Sequence, residues 1–146
     1  MRIFPISDFR FPIANGRLSI EDCALVLSCM NKEELKARTK QFAVRVMNLV
    51  DALPKSTKGR AIGNQLIRCG TAVGANYRAS CRSRSRVEFV ARVGIVEEEA
   101  DESAFWMELI IDGQVLPEAK VRSLLGEANE LVAIMSASRI SASRNS

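Results

Sequence analysis

The sequence predicts an all-α protein, an antiparallel up-and-down four-helix bundle. Three observations carry this. From Asn31 onward, apolar residues recur at intervals of three, four and seven, the period of amphipathic helices. The breaks between these stretches are short and hold Pro54 and Pro117, which suits helices that fold back on their neighbours. Aromatic residues are only 5% of the 146 residues, and strands are where aromatics concentrate. With 47% apolar and 26% charged residues, the chain can fill one domain core.

Residues 1–30 stand apart. The stretch "MRIFPISDFRFPIANGRLSI" holds Pro5, Pro12 and Gly16 and keeps no period. It reads as an irregular N-terminal extension outside the bundle. Met30 directly precedes the regular pattern and is a candidate initiator. The bundle itself is expected over 31–138.

The first helix starts at Asn31, a good N-cap, with Glu33 and Glu34 facing the positive end of the helix dipole. Leu35, Phe42, Val46, Leu49 and Leu53 form its apolar stripe, and Pro54 stops it. A loop, "PKSTKG", follows. The second helix is expected from about Arg60 to Ser80, with Ile62, Leu66, Cys69, Val73 and Tyr77 in one stripe. Gly63, Gly70 and Gly74 lie in the same helix, each costing about 1 kcal/mol relative to alanine. They make sense if another helix passes close by.

The third helix is expected over about Ser85 to Gly113, with a seam of Phe89, Val93, Val96, Ala100, Ser103, Met107 and Ile110. The fourth follows Pro117 and turns Val121, Leu124, Ala128, Leu131 and Met135 inward. Residues 139–146 form a polar tail that is expected to fray.

The composition argues against an enzyme. There is no histidine, which removes histidine-based acid–base and triad chemistry. Cys23, Cys29, Cys69 and Cys81 form no C-x-x-C, so neither metal nor cofactor is expected. No glycine-rich phosphate loop is present. The apolar run "CALVLSCM" (23–30) is far too short to span a membrane. Glu21 and Asp22 precede it, the wrong charge for a signal peptide. A cytoplasmic location is expected.

The charge pattern is uneven. Residues 58–92 hold eight bases and one acid, including Arg78, Arg82, Arg84, Arg86 and Arg92 around "NYRASCRSRSRVEF". Residues 97–112 hold seven acids and no base. Arg84 and Arg86 fall at the start of the third helix, where the dipole favours acids, so local helix stability does not account for them. Three readings stand: a solvated helix corner, a phosphate-binding patch, or a dock for the acidic block of a neighbouring subunit. Arginine suits the last two, because its planar fork binds phosphate and carboxylate in pairs of hydrogen bonds.

Within the acidic block, Glu99, Glu102 and Trp106 share a face with Ile95. Carboxylates three apart occur in di-iron bundles, but those need an E-x-x-H partner, and this chain has none. An internal ion pair between Arg68 and Glu99 or Glu102 is expected instead.

The strings "QLIRCGTAVGANYRA", "EFVARVGIVEEEADESAFWMELI" and "LLGEANELVAIM" together resemble the 23S ribosomal RNA intervening-sequence protein family, also called the four-helix-bundle protein family. The family pattern falls on Gln65, Leu66, Arg68, Asn76, Phe89, Glu99, Glu102 and Trp106, over about residues 32 to 138. Cys69 and Ala72 replace the usual serines, Ala79 replaces the usual glutamate, and Ser80 the usual alanine. The resemblance implies an antiparallel bundle assembled as a homopentameric ring. Similar bundles are accessory proteins of reverse transcriptases in diversity-generating retroelements, where a basic surface contacts nucleic acid. The expected function is therefore a non-enzymatic oligomer that binds RNA or DNA through phosphate contacts, as an accessory to an RNA or a reverse transcriptase. The alternative is a self-assembling scaffold, held by its basic and acidic blocks, with no nucleic-acid role.

Overall fold

A computed structural model describes residues 30–144. All of its regular elements are helical: α1 (Lys32–Asp51), α2 (Thr57–Ser80), α3 (Arg86–Asp112) and α4 (Arg122–Arg144), with a 3₁₀ turn at Glu118–Lys120 before the last. The expected extension at 1–30 lies outside the described residues except for Met30, whose side chain packs against the core.

Side chains cap the first three helices. Asn31 accepts the Glu34 N–H, and the Glu34 carboxylate accepts the Asn31 N–H, each at 2.9 Å. This capping box satisfies two amides that the helix leaves unpaired. Ser56 accepts the Gly59 N–H at 3.1 Å, so α2 begins at Thr57, three residues before the expected Arg60. Ser85 accepts the Glu88 N–H at 3.1 Å and sets the start of α3. The α3–α4 turn bends at Gln114, which takes a left-handed φ of 52°, a conformation that costs a non-glycine residue some strain.

The helices pack in sequence order around one core. Phe42, Leu66, Met107, Ile110, Leu131 and Met135 are among its fully buried side chains. The glycines of α2 allow close contact with α1. A Cβ on Gly70 would lie 2.6 Å from Val46, and one on Gly74 would lie 3.2 Å from the Thr39 carbonyl oxygen. Their cost to the helix is thus offset by dense packing.

Two arginines tie α4 down through three ion pairs. Arg38 of α1 binds Glu127 and Glu130, and Arg139 binds Glu97 of α3 at 2.8 Å. The second contact lies in the stretch expected to fray. The helix instead continues to Arg144, with the Ser138 and Ser143 hydroxyls bonded to carbonyls one turn back. No helix among the described residues is long and apolar enough to cross a membrane.

Candidate nucleic-acid interface

The arginine-rich stretch forms the corner between α2 and α3. The Cys81 N–H still reaches the Tyr77 carbonyl, while Arg82 and Ser83 turn back onto Ala79 and Ser80 at 3.0 and 3.1 Å. Lys32 at the head of α1 closes the corner by donating to the Cys81 carbonyl at 2.6 Å. The turn therefore has a fixed path, and the arginines project from a held backbone.

Arg78, Arg82, Arg84 and Arg86 are all exposed. Arg78, Arg82 and Arg84 make no side-chain ion pair among the described residues. Arg92 differs: its guanidinium reaches Glu88 at 2.9 Å. Glu88 also accepts the Arg84 backbone N–H at 2.9 Å. That backbone hydrogen bond and then Arg92 hold the Glu88 carboxyl below the usual carboxylate range. Glu88 thus supplies the negative charge the α3 terminus favours and engages one of the five candidate arginines. A pocket of about 380 Å³ adjoins the corner, with Lys32, Tyr77, Cys81, Ser83 and Phe89 in its wall. The Ser83 hydroxyl there is buried and makes no hydrogen bond among the described residues.

The second candidate cluster lies on the α2–α3 face. Arg68 donates to Glu102 and stands 3.9 Å from Glu99. Trp106 Nε1 donates to the same Glu102 oxygen at 3.2 Å, and the Phe105 ring meets the Trp106 ring edge-on at 5.3 Å. The expectation of an internal pair needs correction, because the Arg68 side chain is 55% exposed. Its long stem runs outward, so only the carboxylates are partly sheltered. Glu99 is 19% exposed, and its Oε2 is buried with no hydrogen bond among the described residues. Burial pushes its carboxyl above the usual range, Arg68 pulls it down, and Glu102 and Glu98 push it up again.

The ion cluster with the least exposure is one the sequence did not reveal. The Arg38 side chain is 14% exposed and meets two carboxylates of α4. Burial opposes its charge, but Glu127 and then Glu130 outweigh that and raise its pKa above the ordinary arginine value. A faint signal existed: Glu127 and Glu130 sit three apart, each beside an inward residue, Ala128 and Leu131.

Chemically, the corner presents exposed guanidinium groups of the kind that bind anions. Cys69 is buried, its thiol pushed up by burial, and it faces the Ser103 hydroxyl at 3.3 Å. The fold is thus an all-helical bundle with an exposed basic corner. The comparisons place it more closely. Residues 31–137 match the 23S rRNA-intervening sequence protein family, and the chain belongs to that family. Among solved structures it is similar to a protein of unknown function from the S23 ribosomal protein family of Bacteroides thetaiotaomicron. That protein is 29% identical, with a TM-score of 0.67, over 71% of this chain and 96% of the other. No curated protein matches.

Proposed function

We propose that this protein is a non-enzymatic cytoplasmic oligomer that binds nucleic acid through phosphate contacts from the α2–α3 corner. It serves as an accessory to an RNA or to a reverse transcriptase. The carrying observation is the corner itself: exposed Arg78, Arg82 and Arg84 on a fixed turn, with no carboxylate paired to their side chains among the described residues. Uncompensated arginines on a fixed turn can bind phosphate without first ordering the backbone that carries them.

In this reading the bundle is antiparallel and repeats as a homopentameric ring. The α1–α2 contacts support the first part. Gly63 meets Val50 and Leu53, Gly70 meets Val46, and Gly74 meets Thr39, so one helix is read backwards along the other. Repetition of the corner around a ring would add phosphate contacts together and make binding steeply salt-dependent.

The test is fluorescence anisotropy with unrelated RNA and DNA at several salt concentrations. Similar affinities that fall steeply between low and moderate salt are expected. Replacing Arg82, Arg84 and Arg86 by alanine should weaken all of them. It should also flatten the salt slope by up to about one unit for each phosphate no longer neutralised. No binding by wild type at low salt would refute the nucleic-acid reading and leave the scaffold.

A further inference from the structure

Helix α3 is apolar on two opposite sides. Val93, Val96, Ala100, Met107 and Ile110 face the core and are fully buried. On the other side Ile95, Glu98, Glu102, Phe105 and Leu109 follow at steps of three and four, one continuous outward stripe. Ile95, Phe105 and Leu109 are exposed, Phe105 to 50%. A helix with apolar residues on both sides is one that packs on both sides, and the bundle covers only one.

A second exposed apolar group lies on α1 and α2. Val44 and Met47 of α1 and Ile67 of α2 are exposed, Met47 to 47%. Lys40 stands one turn before Val44, and Arg60 two turns before Ile67. Both are exposed, and neither has an ion-pair partner among the described residues. Asp51, in the last turn of α1, tempers this positive face. The α3 face is the reverse. Glu98, Asp101 and Glu108 are exposed there, with no paired base among the described residues.

We infer that the outward face of α3 docks on the α1–α2 face of a second copy of this chain, head to tail. This rests on the oligomer reading above and names its contact. Both faces carry apolar groups that water disfavours. A two-fold contact of α3 on itself would set uncompensated acid against acid, and a two-fold contact of the other face would set base against base. Only unlike faces bring acid to base. Such a heterologous contact closes into a ring when its rotation permits. It also occupies the acidic block without using the corner, so Arg78, Arg82 and Arg84 stay open to phosphate.

Complementation by mixing tests this. Phe105→Arg places a base in the acidic face, and Met47→Glu places an acid in the basic one. Both positions are exposed, so neither change touches the core. The full-length wild type should be oligomeric by light scattering after sizing. Each variant alone should run as a protomer with unchanged helical circular dichroism. An equimolar mixture should give a dimer holding one copy of each, because each variant keeps one sound face. Leu109→Arg with Val44→Glu provides a second pair should either of the first lose its helical signal. Variants that stay oligomeric overturn the assignment of these faces. Protomers that fail to combine overturn the head-to-tail contact. A wild type that is itself a single protomer overturns the oligomer reading instead.

Discussion

Arg38 holds Glu127 with two parallel hydrogen bonds, Nε to Oε1 at 2.7 Å and Nη2 to Oε2 at 2.9 Å. Glu130 adds a third to the same guanidinium. This fork joins the first helix to the last, and all three side chains are at most 20% exposed. Removing one partner of a sheltered pair strands the other, at a cost of about 3–5 kcal/mol. Arg38→Ala should therefore lower the urea midpoint strongly. Arg68→Ala should lower it much less, because the Arg68 side chain is more than half exposed and water replaces its role. Equal midpoints for the two variants would show that exposure does not rank these pairs.

The glycines of two helices should respond in opposite ways. A Cβ at Gly70 would press on three atoms of Val46, the nearest at 2.6 Å. Valine is stiff about χ1, so the helices must part. Overpacking of this kind costs about 1–3 kcal/mol, against about 1 kcal/mol gained in helix propensity. Gly70→Ala should be destabilising on balance. A Cβ at Gly126 meets nothing within 4 Å, so Gly126→Ala should keep the propensity gain and raise the thermal midpoint. The two shifts in one melting series check this, and a stabilised Gly70→Ala would mean that the packing against α1 is loose.

The difference between these cases reflects what a sequence can carry. Phe42, Leu66, Val96 and Met107 are readable as core because burial in a helix repeats every three or four residues. The Asn31 cap is readable because its partner Glu34 is three residues away. The start of α2 is not, since "STKG" reads as loop until the Ser56 hydroxyl is seen to cap Gly59. Nor is the end of α4, where serines and arginines look solvent-bound. Arg139 there is held by Glu97, 42 residues earlier. Arg38 and its acids lie 89 and 92 positions apart, a separation over which no local period survives. In the candidate interface the residue types are legible. The Arg92–Glu88 pair has the legible spacing of four within one helix, whereas the Arg84 backbone N–H reaches the same carboxylate only because of how the corner turns.

That engagement has a consequence for binding. The Arg92 side chain is paired with Glu88, and the Arg84 side chain has no ion pair among the described residues, so alanine at 84 should weaken nucleic-acid binding more than alanine at 92. Glu88→Gln keeps an acceptor for the Arg84 N–H but removes the charge that occupies Arg92. Affinity should rise, and the salt slope should steepen by up to about one unit as Arg92 neutralises one more phosphate. Anisotropy titrations at three salt concentrations separate these variants. A Glu88→Gln protein that binds no tighter would place Arg92 outside the interface.

The last prediction concerns pH and rests on Glu99. Burial raises its carboxyl pKa in the folded protein, so the native state holds that proton more tightly than the unfolded chain does. The sign follows from linkage. Stability from this group is fully present below the unfolded carboxylate value, about 4.3, and is lost as pH rises through the higher folded value. Above that folded value the ionised Glu99 is therefore a cost, because its buried Oε2 finds no hydrogen bond among the described residues. Glu99→Gln is neutral throughout and leaves Arg68 its contact with Glu102. The variant should unfold at higher urea than wild type at pH 7, and the gap should shrink as pH falls toward about 4. Glu102→Gln is the control, since it weakens the partner of both Arg68 and Trp106 and should lower the midpoint at pH 7. Trp106, half-buried beside the cluster, reports unfolding by its fluorescence. A Glu99→Gln midpoint equal to or below wild type at pH 7 would show that Arg68, at 3.9 Å, already compensates the buried charge.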